Sequence, residues 1–453
     1  MNGDLTTGTP LKRILRFCVP LLLGTLSQQV YNITDSIIVG KHLGVEAFAA
    51  IGSTGSLNVL IIGFAVALCT GLCVPIAQNY GAGDVKALRK AEANGLYIAA
   101  AFSVLITVAM LLFTRSILIA LQTPENLLDD ACAYIRTLCA GSSALILYNM
   151  VIGFMRALGD SKTPLFYLIL AALFNILLDL LFVIVFPMGA TGVALATVLA
   201  QFLSALLAIR SIRKNFPILH LTRESLRPCG VTLGKLTATA LPIGLQSSIT
   251  AVGSIMLQRV INGLGASAVA AMVVGGKIHT LIFAPIEAVG IGVMIFACQN
   301  YGARQIGRVR GGIMQLMLAT SGYALLGTAL AWFAGTGLMQ IFLRGGDAEV
   351  YQLTEYYLRV SSSFFIPLNI IYIYRNALQG LGYPKLAMCS GVNEMVARIV
   401  VATVMVPALG FTGACLGAPT AWTMAALFVA IAYAYAVRRR TKECAAPQVD
   451  IDF

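Results

Sequence analysis

The pentapeptide Gln-Asn-Tyr-Gly-Ala at residues 78–82 recurs unchanged at residues 299–303, 221 positions later in a chain of 453 residues. Other short matches follow the same order at nearly the same spacing. They are Leu43-Gly44 with Leu264-Gly265, Gly189-Ala190-Thr191-Gly192 with Gly410-Phe411-Thr412-Gly413, and Pro20 with Pro242. A chance identity of five residues inside such a collinear set is improbable. The sequence therefore predicts a duplicated fold with two equivalent halves.

The composition places both halves in a membrane. Hydrophobic residues make up 58% of the chain and charged residues only 11%, and the mean hydropathy is +0.85. A soluble domain carries about 25% charged residues, so the composition excludes a soluble enzyme, a disordered chain, a coiled coil and a nucleic-acid-binding protein. A helix crosses a bilayer with about 20 apolar residues. Twelve such stretches are present, at 14–39, 54–78, 92–113, 131–154, 164–186, 191–210, 237–262, 272–298, 312–334, 354–376, 385–406 and 412–437.

Basic residues predict the orientation of these spans. Of the 31 Lys and Arg residues, 23 fall on one side of the membrane and three on the other, namely Lys41, Arg115 and Arg344. Cytoplasmic loops carry the excess of basic residues, so we expect both termini in the cytoplasm, which requires an even number of spans.

Each half holds six spans and therefore has the same orientation as the other. We predict an all-α integral membrane protein with twelve transmembrane helices in two parallel six-helix lobes, related by a pseudo-two-fold axis along the membrane normal. The predicted parts are an N-terminal lobe at 1–210, a basic cytoplasmic linker at 211–236, a C-terminal lobe at 237–437 and a cytoplasmic tail at 438–453. Two such lobes around a central space are typical of an alternating-access transporter.

Four acidic residues lie well inside the spans: Asp35, Asp179, Glu287 and Glu394. A carboxylate at a helix centre is disfavoured by about 2.5–3.5 kcal/mol, so each of them needs a partner or a function. With a rise of about 1.5 Å per residue, Asp35, Asp179 and Thr197 fall at similar depth in the outer half of the first lobe.

Asn175 lies four residues before Asp179, on the same helix face. Two carboxylates, a carboxamide and a hydroxyl in a protected pocket can take up a proton, because two nearby like charges repel. The same oxygen atoms suit a hard cation such as Na⁺. We therefore predict a cation-coupling site formed by Asp35, Asn175, Asp179 and Thr197, with both ions left open.

The second lobe lacks this set. Met256 or a near neighbour takes the place of Asp35, and no acid matches Asp179. Glu394 and Arg398 are spaced i, i+4 and are predicted to form an internal salt bridge. Glu287 has no oppositely charged neighbour in sequence and is a candidate contact for a cationic substrate. Coupling is therefore predicted to be confined to the first lobe.

Several other side chains within helices suit the lining of a substrate cavity. The polar candidates are Gln28, Tyr31, Asn32, Tyr148 and Asn149, and Met256 is a candidate for an adaptable apolar wall. The sequence has no Walker A pattern, nucleophile elbow or metal-binding cluster, which argues against ATP-driven transport and against an enzyme.

Twelve spans in two lobes, duplicated QNYGA segments, and Pro20 with Tyr31 and Asp35 in the first helix resemble the multidrug and toxic compound extrusion (MATE) family of transporters. The resemblance covers essentially the whole chain. It is greatest to the bacterial branch with an Asp in helix 1, Asn-x-x-x-Asp in helix 5 and a Thr in helix 6, which fall here on Asp35, Asn175, Asp179 and Thr197. The branch that couples through acids of helices 7 and 10 is not matched.

The resemblance also implies that Pro20 is the point at which the first helix bends, and that Tyr31 and Asn149 line the first-lobe cavity. It implies efflux of amphipathic, often cationic, organic compounds in exchange for H⁺ or Na⁺, without a cofactor. The expected partners are small organic cations and membrane lipid. The expected location is the bacterial inner or plasma membrane, and the expected state is a monomer.

Other functions remain open at this point. A lipid-linked saccharide flippase of the same superfamily would need a wide cationic cavity, whereas the best-defined interior cluster here is acidic. A channel would tolerate loss of the acids without losing all flux. A receptor would carry a sizeable extra domain, and an enzyme acting within the bilayer would need a catalytic set that the sequence lacks.

Overall fold

Long apolar runs form long helices because a helix satisfies all of its own backbone hydrogen bonds in lipid. The computed structural model describes residues 3–121, 123–342 and 348–445, and the regular structure within them is helical. The first half contains α1 (Pro10–His42), α2 (Gly44–Ser53), α3 (Gly55–Ala82), α4 (Val85–Ala120), α5 (Glu125–Ala140), α6 (Ser142–Ala157), α7 (Lys162–Leu180) and α8 (Gly189–Asn215). The second half contains α9 (Gly230–Asn262), α10 (Ala266–Gly302), α11 (Ile306–Phe333), α12 (Gly335–Phe342), α13 (Ala348–Ser362), α14 (Phe365–Gly380), α15 (Pro384–Val400), α16 (Val406–Leu409) and α17 (Phe411–Ala445).

These helices form the two-lobe, twelve-helix arrangement. Among the described residues, nine helical segments are long and apolar enough to cross a membrane, and the pair α5 and α6, bent by 47°, brings the number to ten. The remaining two predicted spans correspond to α1, whose apolar run is interrupted by Gln28, Gln29, Asn32 and Asp35, and to α13 with α14, which are short helices of 15 and 16 residues. Arg344 and residues 446–453 lie outside the described residues.

Two of the predicted continuous spans are broken. The stretch 131–154 consists of α5 and α6, separated at Gly141. A Cβ atom on Gly141 would lie 2.3 Å from the side chain of Val198, so the absence of a side chain lets α8 pack against the break. The stretch 354–376 consists of α13 and α14, separated at Ser363 and Phe364.

The two halves share an unusual element at equivalent positions. A π-helical turn, Leu181–Val185, follows α7, and another, Val401–Met405, follows α15. The repeated glycine motif lies against these turns. A Cβ atom on Gly192 would approach Phe182 and Met188, and one on Gly413 would lie 2.4 Å from the carbonyl oxygen of Met405. Glycine therefore recurs at these two positions because the neighbouring turn leaves no room for a side chain.

The chain forms two compact units. One comprises Met1–Asp4 and Phe17–Gly244, and the other comprises Leu5–Arg16 and Leu245–Phe453. In the second unit, the backbone N–H of Leu5 donates to Oε1 of Gln299 at 3.0 Å. The side-chain amide of Asn300 donates to the carbonyl oxygen of Leu5 at 3.2 Å. The second QNYGA segment thus holds Leu5 against its own unit.

Candidate functional site

Three helices of the first unit carry the predicted coupling residues. Asp35 lies on α1, Asn175 and Asp179 lie on the last turns of α7, and Thr197 lies on α8. Helices α7 and α8 pack closely against each other. Asp179 is fully buried and Asn175 is 2% exposed. The π-helical turn begins two residues after Asp179, and such turns occur frequently at functional sites.

The carboxyl groups of Asp35 and Asp179 face each other, within hydrogen-bonding reach when one of them is protonated. Both carboxyl oxygens of Asp179 and Oδ1 of Asp35 are buried and have no hydrogen-bond donor among the described residues. A buried polar group is normally hydrogen-bonded, because an unsatisfied one costs free energy. The pair therefore requires a proton or a cation.

Amide and hydroxyl groups complete the site. The side-chain amide of Asn175 donates to Oγ1 of Thr197 at 3.2 Å, and this hydroxyl donates to the carbonyl oxygen of Val193 at 3.2 Å. The Tyr31 hydroxyl is also hydrogen-bonded to Thr197. Oδ1 of Asn175 is buried without a partner in the described part of the chain. The free atoms of the site are thus oxygen acceptors, which is the donor set that a proton or a hard cation needs.

Tyr134 of α5 also lies close to Asp35 and Asp179, and it was not predicted from the sequence. It is 8% exposed, interacts electrostatically with Asp35 and Asp179, and is hydrogen-bonded to Asn58. The available signal was a polar group inside the predicted span 131–154.

An open cleft adjoins the site within the first unit. Its lining combines uncharged polar side chains with small apolar ones: Gln28, Tyr31, Tyr148, Leu168, Ala171, Ala172, Asn175, Thr197, Ala200 and Gln201. Tyr31, Asn175 and Thr197 are shared between the cleft and the acidic site. Gln201 was not predicted, although it lies one helical turn after Thr197.

The other predicted cavity residues lie elsewhere. Asn32 is exposed, and the amide of Asn149 donates to the carbonyl oxygen of Leu145 at 2.8 Å within α6. Neither is part of the cleft lining. Met256, 44% exposed, and Glu287, also exposed, lie in the second unit. Pro20 lies inside the continuous helix α1.

The acidic cluster of the second unit is an ion-pair network. Glu394 and Arg398 form the predicted i, i+4 pair at 3.2 Å. Arg375, one of the 23 basic residues assigned from the sequence to the cytoplasmic side, lies in α14 and contacts the other oxygen of Glu394 at 2.9 Å. The carboxylate is therefore satisfied at both oxygens. Arg375 is also within electrostatic range of Glu287.

Comparison with known proteins places the chain in a family. The sequence model of the MatE family matches residues 20–181 and 242–404, one stretch in each half and each beginning at the repeated proline. The chain belongs to the MatE family. As a MatE protein it is a multi-pass membrane transporter that uses an ion gradient, and it is not an enzyme.

Relatives and solved structures agree with this assignment. The probable multidrug resistance protein YpnP of Bacillus subtilis is 25% identical over 84% of each chain. The probable multidrug resistance protein YoeA of the same organism is 31% identical over 65% of each chain. A MATE crystal structure in the bent conformation superposes with a TM-score of 0.90 at 22% identity, covering 98% of this chain and 99% of that one. The structural likeness establishes the MATE fold.

Proposed function

We propose that this MatE protein is a secondary active multidrug efflux antiporter, which exports amphipathic, often cationic, organic compounds in exchange for H⁺ or Na⁺ by alternating access. Relatives named as multidrug resistance proteins support efflux of several compounds. The exchange mechanism and the cationic substrate class rest on the first-unit site.

One observation carries the proposal: the carboxyl groups of Asp35 and Asp179 face each other, and three of their four oxygens are buried without a donor among the described residues. When both groups are ionised, they attract a positively charged compound in the adjoining cleft. When H⁺ or Na⁺ is bound, the attraction to the compound is lost. Because the ion and the compound are attracted by the same negative charge, binding of one opposes binding of the other.

The free energy available from this exchange is sufficient for a conformational switch. Reversing a two-state equilibrium from 1:99 to 99:1 requires about 5.5 kcal/mol of differential binding. Each uncompensated carboxylate inside the membrane is disfavoured by about 2.5–3.5 kcal/mol. Neutralising both groups, which takes two protons or two monovalent cations, is therefore of the required size, whereas neutralising an exposed acid would not be.

The cleft suits amphipathic compounds. Its polar lining is uncharged and its alanines leave room for rings, so shape and apolar contact admit varied molecules while the acids select for positive charge. In this proposal Asp35, Asn175, Asp179 and Thr197 hold the ion, as the metal site if the ion is Na⁺, and no cofactor takes part. The protein works as a monomer in the bacterial cell membrane with both termini in the cytoplasm.

Transport in proteoliposomes tests the proposal. A fluorescent organic cation is loaded, and its movement is followed under an imposed pH gradient or an imposed Na⁺ gradient, for the wild type and for Asp179→Asn. We expect one gradient to drive transport in the wild type and neither to drive it in the variant. Asp129→Asn is the matched control: it replaces an exposed acid of the first unit that lies outside the site and pairs with Arg115, and it should retain gradient-driven transport.

Two results would contradict the proposal. Gradient-driven transport at the wild-type rate in Asp179→Asn would remove the site from the mechanism. Absence of transport under both gradients in the wild type, across a panel of organic cations, would favour a lipid-linked substrate.

A further inference from the structure

A third acid is buried in the first unit, and the coupling site does not use it. Glu92, in the third turn of α4, is 4% exposed, and its Oε2 atom has no hydrogen-bond partner among the described residues. A carboxylate in such a position loses hydration without compensation, whereas a protonated carboxyl group does not carry this charge. Glu92 is therefore in its neutral form in this arrangement.

The charged group that acts on Glu92 is Arg89, one turn earlier on the same helix. Residues three apart on a helix are neighbours on one face, so the guanidinium can reach the carboxyl group. It is engaged elsewhere: Nε donates to the carbonyl oxygen of Ile218 at 3.0 Å, and Nη2 donates to that of Pro217 at 2.9 Å. These carbonyls belong to the segment 216–229, which we call the docked linker.

Other side chains of α4 hold the docked linker in place. The Tyr97 hydroxyl donates to the carbonyl oxygen of Leu226 at 2.7 Å, and the side chain of Asn94 accepts from the backbone N–H of Cys229 at 3.0 Å. Lys86 forms an ion pair with Glu224 at 2.7 Å. The linker is therefore bound to the first unit, and Arg89 is one of its anchors.

The neighbouring helices supply no alternative counter-charge. Helix α3 contains no Asp, Glu, Lys, Arg or His. The one charged residue of α6 is Arg156, whose electrostatic neighbours are Tyr148 and Cys73. The one basic residue of α5 is Arg136, which acts electrostatically on Cys132 of the same helix. Arg89 is thus the group that decides whether Glu92 can ionise.

We propose that Arg89 switches between the docked linker and Glu92, so that undocking of the linker ionises Glu92 and releases its proton at the cytoplasmic end of the first unit. When the two carbonyls leave, the guanidinium loses its acceptors and turns to the carboxyl group one turn away. The O–H bond of Glu92 breaks, its proton passes to water, and the carboxylate accepts hydrogen bonds from Arg89. Redocking reverses each step.

The switch adds a proton-releasing residue and a control by the linker to the proposed antiport. Its role in transport rests on the proposed function, but the change in protonation of Glu92 does not. The two can therefore be tested separately.

Infrared difference spectroscopy of the purified protein tests the switch directly. The wild-type spectrum minus that of Glu92→Gln should show the carbonyl stretch of one protonated carboxyl group per chain. Loosening the linker with Tyr97→Phe and Lys86→Gln together should diminish this band. Adding Arg89→Gln to that pair should restore it, because no guanidinium is left to stabilise the carboxylate. Arg115→Gln, a matched change at the other end of α4, should leave the band unaltered.

Absence of the band in the wild type would mean that Glu92 is already ionised and would overturn the proposal. A band that is unchanged when the linker is loosened would show that release of Arg89 from the linker does not ionise Glu92. In proteoliposomes, Glu92→Gln should reduce the dependence of transport on cytoplasmic-side pH, and the part that a pH gradient drives through Asp35 and Asp179 should remain. If the wild type shows the spectral changes but no gradient-driven transport, the antiport proposal fails and the switch stands.

Discussion

Asp35 and Asp179 differ from the other intramembrane acids in what surrounds their oxygens. Glu394 accepts from two arginines, whereas three of the four oxygens of the facing pair are buried without a donor among the described residues. A paired carboxylate is compensated permanently, while an unpaired one is compensated only when something binds. At the scale of single residues, this difference separates the structural acid from the two that we propose exchange ions.

Thr197→Val tests the support that surrounds the acids. Valine keeps the shape of threonine but cannot accept the hydrogen bond from the Asn175 amide, which spans 3.2 Å. Loss of one such bond costs about 1 kcal/mol, which corresponds to about a fivefold change in an equilibrium constant. We expect the half-saturating concentration of the coupling ion to rise about fivefold, measured from transport rates in proteoliposomes.

Thr70→Val is the control for that experiment. The hydroxyl of Thr70 donates to the carbonyl oxygen of Val66 in its own helix, as that of Thr197 does to Val193. An equal effect of both substitutions would show that the back-bond within the helix, and not the site, is responsible.

Cys229 gives a second prediction at this scale. It lies just before α9, and hydrogen bonds from the hydroxyl and the backbone of Thr232 lower the pKa of its thiol to about 7. Since the thiolate is the reactive form, its alkylation rate should rise through about pH 7 and then level off. Thr232→Val should move this midpoint to higher pH.

The measurement is the rate of iodoacetamide labelling against pH, with the signal from Cys229→Ser subtracted. A rate that continues to rise steeply above pH 9, the ordinary value for this thiol, would contradict the hydrogen-bonded arrangement.

At the scale of elements, the two π-helical turns follow helices that differ in whether their buried acid has a positively charged partner. The turn Leu181–Val185 follows a helix that ends in an unpaired acid, and the turn Val401–Met405 follows one that carries the ion pair of Glu394 and Arg398. In the second unit, Arg398 also donates to the carbonyl oxygen of Thr250 on α9, at 3.2 Å. Helices α9, α14 and α15 are thereby joined by charged groups.

Glu394→Gln should destabilise the second unit strongly. The substitution leaves Arg375 and Arg398 buried without their counter-charge, and breaking a buried pair costs about 3–5 kcal/mol. Glu443→Gln is the matched control, because Glu443 also contacts two arginines but at an exposed site, where such pairs contribute at most about 1 kcal/mol. Thermal denaturation in detergent should show a large decrease in melting temperature for Glu394→Gln and not for Glu443→Gln.

An equal decrease in melting temperature in the two variants would contradict the view that the ion pairs of Glu394 stabilise the packing of α9, α14 and α15. No loss in either variant would do so as well.

The sequence predicted the helices better than their breaks. Hydropathy locates apolar segments because burial in lipid requires them. It cannot locate the break at Gly141, since both flanking segments are apolar and the cause is contact with Val198 of another helix. The π-helical turns were missed for a similar reason, because a single added residue barely changes the pattern of apolar positions.

At the site, depth along the helices predicted that Asp35 and Asp179 lie at one level, and the structure brings their carboxyl groups together. The participation of Tyr134 and Gln201 depends on how helices pack, which one sequence does not contain. Glu92 was overlooked because the predicted span begins at this residue, whereas the helix begins at Val85 and buries it.

At the scale of the whole molecule, duplication supplies the scaffold and divergence supplies the chemistry. Prolines, glycines and the QNYGA segment recur in both halves: the repeated glycines Gly192 and Gly413 pack closely against their neighbours, and the second QNYGA segment anchors Leu5. The acids do not recur: one unit has an uncompensated pair and the other a compensated network. In our account, the first unit therefore exchanges ions and the second does not.

The most direct test is the affinity of the purified protein for a fluorescent organic cation, measured by fluorescence polarisation as a function of pH and Na⁺ concentration. We expect the affinity for the organic cation to fall as one of the two ions, H⁺ or Na⁺, is added, and we expect Asp35→Asn and Asp179→Asn to abolish this dependence. An affinity that is independent of both ions in the wild type, or an unchanged dependence in the two variants, would contradict it.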